Sequence, residues 1–195
     1  MRRLTPDETK RVEEAAAAAA ARTSAHFAVV TVSVSDRYRL YPVLFAAIAA
    51  LAAACVAAVA FPTLSFATGV LGEAALFAIL SLVLEWLPFR LTLVPRRIKH
   101  ARARQLAHLE FAAHILAHDQ HPHGMLFFVS LGERYVEIVA NAALHERVGE
   151  QEWRTIVDRF IAAAKVNTLA DGFVAAINSC AAHLERHFPR TGQSA

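Results

Sequence analysis

Five histidines crowd one stretch of the chain: His108, His114, His118, His121 and His123. His114 and His118 are four residues apart and share a face of any helix they sit on, a workable spacing for zinc or another transition metal. Asp119, His121 or His123 would be the third ligand. The competing explanation is electrostatic, because imidazoles near a helix C-terminus are favoured by the helix dipole. No HExxH or CxxC pattern accompanies them, so His114 and His118 stand only as candidate metal ligands. Ser33, Ser35 and Ser130 lie near the ends of expected strands without the glycine-framed elbow a nucleophile needs, and they read as sheet or turn residues. Asp36, Glu133 and Asp171 are loop acids that would meet at one end of a sheet, and solvated carboxylates are the expectation there. Glycine-rich phosphate loops are absent. No catalytic residue follows from these patterns.

The elements that must position such residues are dominated by one apolar region. Hydrophobic residues make up 56% of the chain and the mean hydropathy is +0.36, with the excess concentrated in the first half. Leu40 to Gly72 contains no Asp, Glu, Lys, Arg or His, and a spanning helix needs only about 20 apolar residues. Pro62-Thr63-Leu64-Ser65 supplies a turn, and Phe66 to Phe89 is a second apolar run broken by Glu73 and Glu85. The expectation is a transmembrane hairpin within residues 40–90, with spans of roughly 41–61 and 67–89. Arg37 and Arg39 precede the first span, and Arg90, Arg96, Arg97, Lys99, Arg102 and Arg104 follow the second, while the turn has no Lys or Arg. The positive-inside rule then puts both termini in the cytoplasm of a multi-pass protein of the inner (plasma) membrane. Tyr38, Tyr41 and Trp86 would form an interfacial aromatic belt. Glu85 lies about one turn from Arg90 near that interface, where a carboxylate reaches water. A role for it in transport, as part of an accessory subunit, is the weaker reading. The Ala-rich first span offers small-residue surfaces for self-association.

Net charge is +3 and the isoelectric point about 9.2, but the basic residues flank the apolar stretch. Anionic headgroups are the simpler partner, and no nucleic-acid role is expected. Cys55 and Cys180 are the only cysteines. No disulfide framework follows, and a reducing compartment fits. The charged N-terminal segment does not read as a secretory signal.

On either side of the hairpin the periodicity switches to that of a soluble α/β unit. Thr5-Pro6-Asp7-Glu8 reads as a capping box opening a helix to about Arg22. His26 to Ser35 alternates as a strand. A helix runs from Pro95 to about His118. Met125 to Leu131 is an apolar run suited to a strand covered on both faces, and Gly132-Glu133-Arg134 turns it into a second strand, Tyr135 to Ala140. Amphipathic helices follow around Trp153 to Ala164 and Leu169 to Leu184. These elements are too few for two domains, so residues 1–39 and 91–189 are expected to form one α/β sandwich into which the hairpin is inserted, with 190–195 as a tail. An insertion costs little when its two ends emerge together, as they do from an antiparallel helix pair.

The segment from Gly124 through Gly132-Glu133-Arg134 to Val139, then Trp153, Asp171-Gly172-Phe173 with Ile177, and His187-Phe188-Pro189, resembles the TPM domain. That family takes its name from a thylakoid lumen protein, a photosystem II repair protein and a modulator of acetylcholine receptors. Ala21-Arg22-Thr23-Ser24-Ala25-His26, leading into the valine strand and Ser35-Asp36-Arg37-Tyr38, is similar to the bacterial branch in which a membrane hairpin interrupts the domain. The resemblance implies a compact α/β sandwich and, for some members, calcium binding and acid phosphatase activity. Asn141-Ala142-Ala143 stands where members often carry an acidic residue and glycine, and the acidic opening is reduced to Leu4-Thr5-Pro6-Asp7. Fewer carboxylates weaken a calcium site, which needs several oxygen ligands, so no metal or catalytic residue is carried over. The function expected is a membrane-anchored interaction or scaffolding module. The alternative is a membrane-bound phosphatase or metal-dependent hydrolase.

Overall fold

The computed structural model describes residues 4–36, 38, 40–63, 65–86, 91–116, 123–166 and 168–189. In chain order the elements are α1 (Pro6–Arg22), β1 (His26–Val32), α2 (Leu40–Ala60), α3 (Phe66–Leu84) and α4 (Arg96–Phe111), which continues as a π-helical turn over Ala112–Leu116. Then come β2 (Gly124–Ser130), β3 (Tyr135–Ala140), α5 (Ala142–Val148), α6 (Glu150–Lys165) and α7 (Leu169–His187). The chain divides into two compact units, Met1–Ser35 with His100–Ala195, and Asp36–Lys99.

The first unit is mixed α/β and mostly helical, built on a three-stranded sheet of order β1-β2-β3. β1 runs parallel to β2 from His26↔Gly124 to Val32↔Ser130, and β2 antiparallel to β3 from Met125↔Ala140 to Ser130↔Tyr135. Parallel neighbours need a long crossover, and here the connection from β1 to β2 contains α2, α3 and α4. β2 is central and buried along its whole length, which is why it reads as an unbroken apolar run. Met125, Phe127 and Val129 enter one core with Phe160, Phe173, Ile177 and Leu184, beneath α1, α6 and α7. Leu126 and Phe128 enter the other, against Ala103, Ala107, Phe111 and Ile115. Phe127, Phe160 and Phe173 meet edge to face at centroid distances of 4.8–6.0 Å, the geometry favoured by the ring quadrupoles.

Local signals behave as their chemistry requires. Thr5 Oγ1 accepts from Glu8 N at 3.3 Å and the Glu8 carboxylate accepts from Thr5 N at 2.8 Å, completing the capping box of α1. The two ends of the unit are stitched where Thr23 Oγ1 and Ser24 N donate to the Phe188 carbonyl at 2.8 and 3.1 Å. The long helix after Pro95 continues as a π-turn over Ala112–Leu116, and its expected end at about His118 lies outside the described residues. Three expectations are corrected. β1 stops at Val32, because Ser33 and Ser35 turn to bond the β2–β3 connection. Asn141 caps a short helix, α5, that the sequence reading lacked, its side chain accepting from Leu144 N at 3.0 Å. Tyr38, expected in an interfacial belt, is buried, whereas Trp86 is exposed.

The second unit is dominated by α2 packed against α3. Ala46 and Ala50 are fully covered, and Ala53, Ala54 and Ala57 are half-buried. On α3 the half-buried residues are Glu73, Leu76, Phe77, Leu80, Ser81 and Leu84. Small residues on α2 thus face larger ones on α3. Ser65 caps α3 by accepting from Thr68 N at 3.3 Å. Both helices are long and apolar enough to cross a membrane, and over their most apolar 18-residue windows only 11% of α2 and none of α3 is buried.

Candidate functional site

Of the histidines singled out by spacing, the described ones, His108, His114 and His123, have separate partners. His114 Nε2 lies 3.2 Å from Glu110, one turn earlier, and is about half exposed. His118, Asp119 and His121 lie outside the described residues. The His123 ring lies 4.4 Å from that of Phe188, tilted by 45°. Among the described residues no group of three or more His, Cys, Asp and Glu side chains is arranged to hold a metal ion.

Two of the loop acids, Asp171 and Glu133, have separate partners. Asp171 sits in the first turn of α7 and accepts a 2.8 Å bond from Arg11 on α1. Glu133, expected to be solvated, is 4% exposed. Its Oε1 accepts from Ser35 N at 2.8 Å, and its Oε2 accepts from Ser130 Oγ, which in turn accepts from Ser35 Oγ at 3.0 Å. The three residues tie the segment after β1 to the β2–β3 connection. Ser130 is fully buried and has no access to a substrate, so the cluster holds structure in place. Glu85 follows the last residue of α3 as its C-cap and is exposed, which suits a carboxylate at an interface.

A groove that the sequence reading missed lies between α4 and β3. It is open, about 570 Å³ in volume, and lined by His100, Ala101, Arg104, Gln105, His108 and Tyr135. His100, Arg104 and His108 recur every four residues and form one stripe of α4, beside the stripe Ala103, Ala107 and Phe111 that packs on the sheet. From β3, Tyr135 and Glu137 point to the same side, as alternate strand residues must. Tyr135 Oη donates to Glu137 Oε2 at 2.8 Å, and its ring lies 5.4 Å from that of His100. Arg104 Nε and His108 Nε2 stand 3.7 and 3.9 Å from Glu137 Oε1. Burial, then the hydrogen bond and charge of Glu137, hold the Tyr135 hydroxyl well above the ordinary tyrosine range against the opposing pull of Arg104. The phenol is therefore a fixed donor. Imidazole, guanidinium, amide and phenol groups are among its lining side chains, so a bound polar group would meet hydrogen-bonding partners there. The signal available in the sequence was the four-residue stripe of His100, Arg104 and His108, paired with Tyr135 and Glu137 two apart on a strand.

No protein-family model matches the chain, and no curated protein matches it. Among solved structures it is similar to the NMR structure of the BA42 protein from the psychrophilic bacterium Bizionia argentinensis, with a TM-score of 0.54 and 15% identity over 100% of this chain and 90% of that one. At that identity the likeness establishes the fold: a small mixed α/β domain, in a chain that also contains two largely exposed apolar helices.

Proposed function

We propose that α2 and α3 cross a bilayer as an antiparallel hairpin and anchor a TPM-like α/β domain at the cytoplasmic membrane face, where the domain serves as an interaction or scaffolding module. The observation that carries this reading is the outward-facing apolar surface of the two helices. Leu40, Val56, Val59, Phe66, Leu71 and Leu82 are 68–88% exposed. Leaving a large aliphatic or aromatic side chain in water forgoes about 1.5–3 kcal/mol. These six alone forgo roughly 10 kcal/mol, as much as the whole stability of an ordinary domain at about 5–15 kcal/mol. Hydrocarbon is the solvent that removes this cost, and helices satisfy their own backbone there.

The Lys and Arg residues flanking the hairpin favour the cytoplasm for both ends. The α4–β3 groove is the face of the domain best equipped to hold a partner. A photo-crosslinking residue at Gln105, in the full chain in intact membranes, tests the interaction. A discrete crosslinked product that disappears when the crosslinker is moved to Glu13 on α1 is expected. Absence of any discrete product, in cells where deletion of the protein has a phenotype, would defeat the scaffolding role. The anchor is tested separately by washing membranes with alkaline carbonate, which should leave the protein in the pellet.

A further inference from the structure

β3 is the last strand of its sheet. Among the described residues no backbone hydrogen bond joins it to an element other than β2. Its outer edge therefore presents N–H and C=O groups on which another extended chain can pair. The strand is six residues long, about 20 Å at roughly 3.4 Å per residue.

α4 gives this edge a basic wall. On one side of the helix Leu106 packs with Ala28 and Val30 of β1, and beneath it Ala103 and Ala107 cover Leu126 and Phe128 of β2. On the other side His100, Arg104 and His108 reach β3. That stripe also runs along the strand, since His100 lies beside Tyr135, and Arg104 and His108 beside Glu137. Its members are about 6 Å apart along the helix axis, and alternate side chains of an extended chain are about 6.8 Å apart. Over three such steps of side chain the two rows stay matched to within about 2 Å.

Charge selects the occupant. α4 carries Arg96, Arg97, Lys99, Arg102 and Arg104 against one acid, Glu110. Arg104 and His108 are more than half exposed. Arg104 meets Glu137 through Nε at 3.7 Å, and a guanidinium has further N–H donors to offer a second carboxylate. A second copy of this chain paired through β3 would set two basic stripes and two Glu137 carboxylates against each other. A strand with acidic side chains brings the opposite charge to the stripe.

We propose that the β3 edge takes an extended segment of a partner protein as a fourth strand, with acidic residues at alternate positions facing the His100, Arg104 and His108 stripe. The proposal rests on the reading of the domain as an interaction module and names the partner class for it. Main-chain hydrogen bonds to β3 hold the segment, and Arg104 with the flanking imidazoles selects its acids.

The test measures fluorescence anisotropy on the full chain in mild detergent. The probes are a labelled peptide of alternating Glu and Thr, a peptide of the same composition with its Glu residues consecutive, and a peptide of alternating Lys and Thr. The alternating acidic peptide should bind about tenfold more tightly than either of the others. Methylating its alternate backbone nitrogens should abolish binding in one phase and spare it in the other, because every second N–H of a strand faces a given neighbour. Arg104→Ala should weaken binding about tenfold. Arg102→Ala removes the same charge from the same helix off the stripe and should weaken binding less than about twofold, and both variants should melt with the wild type. Equal binding of the alternating and consecutive acidic peptides, tolerance of both methylation phases, or equal losses in the two variants overturns the proposal. A photo-crosslinker at Gln105 should capture the alternating acidic peptide. Adducts to lipid or to a second copy, with none to the peptide, would make the membrane or another chain the occupant and overturn it as well. A discrete protein crosslink in cells beside peptides that do not discriminate refutes the acidic strand alone, whereas no discrete product in cells refutes the interaction reading with it.

Discussion

Replacing Glu133 by alanine removes the acceptor of a half-buried donor, Ser35 N, and of a buried one, Ser130 Oγ. The Ser130 hydroxyl can turn to donate to Ser35 Oγ, 3.0 Å away, so one hydroxyl recovers a partner. The Ser35 N–H cannot turn, and a donor left without an acceptor costs about 1–3 kcal/mol when fully buried and less where, as at Ser35, it is half-buried. Loss of the charge-assisted bond to Ser130 adds to this, and the vanished desolvation penalty of a buried carboxylate subtracts. The net expectation for Glu133→Ala is about 2–4 kcal/mol of destabilisation. Glu133→Gln keeps an oxygen for Ser35 N and offers an amide donor to Ser130 Oγ, so its cost is about 1 kcal/mol. At roughly 3–5 °C per kcal/mol for a unit of this size, alanine should lower Tm by about 6–20 °C and glutamine by less than about 5 °C. Thermal unfolding of the full chain in mild detergent, followed by the fluorescence of buried Trp153, reads both. If the alanine variant melts with the wild type, or glutamine is the worse of the two, the buried carboxylate does not hold the segment after β1, and the reasoning fails.

Three further outcomes follow from packing and burial. A Cβ at Gly124 would lie 2.1 Å from Ile115 Cγ2, so Gly124→Ala should cost about 1–3 kcal/mol, and Ile115→Leu, which removes that branch, should recover part of it in a double-mutant cycle. Burial first, aided by Arg186 and His187 and opposed by Glu152, pulls the His183 imidazole below the ordinary histidine range. The unfolded chain then binds this proton more tightly than the folded one. The associated stability is complete above about pH 6.5 and is lost as pH falls through that value toward the folded pKa. Denaturant midpoints between pH 7.5 and 5 should drop less in His183→Gln than in wild type, and equal slopes would count against the assignment. Burial pushes the Cys180 thiol up to about 12, and Cys55 lies on the exposed surface of α2. A water-soluble maleimide should therefore label neither cysteine in membranes and both in denaturing detergent, whereas rapid native labelling of Cys180 would mean that the core around α7 is open.

The parts of the fold visible in the sequence are those with local signatures. The capping box at Thr5, the unbroken apolar run of β2 and the charge-free stretch from Leu40 are each recorded in consecutive residues, and each gave an element of the right type. α5 escaped because seven residues are too few to show a helical period, although Asn141 ahead of Ala-Ala-Leu is a cap signal. Glu133 was misjudged because its burial is a tertiary event: the partner that covers it, Ser35, is 98 residues away in sequence. The α4–β3 groove was hidden for the same reason. His100, Arg104 and His108 look like a basic helix surface until β3 brings Tyr135 and Glu137 beneath them. The proposed membrane hairpin rests on composition and exposure alike, since two helices apolar enough to cross a membrane have most of their surface uncovered.

That hairpin is the claim on which the rest depends. Its most direct test is a set of reporter fusions to the full chain, at residue 36 before α2, at residue 64 in the turn and at residue 195. The account predicts cytoplasmic reporter activity at residues 36 and 195 and export-dependent activity at residue 64. Opposite sides for residues 36 and 195, or a cytoplasmic signal at all three, would contradict it.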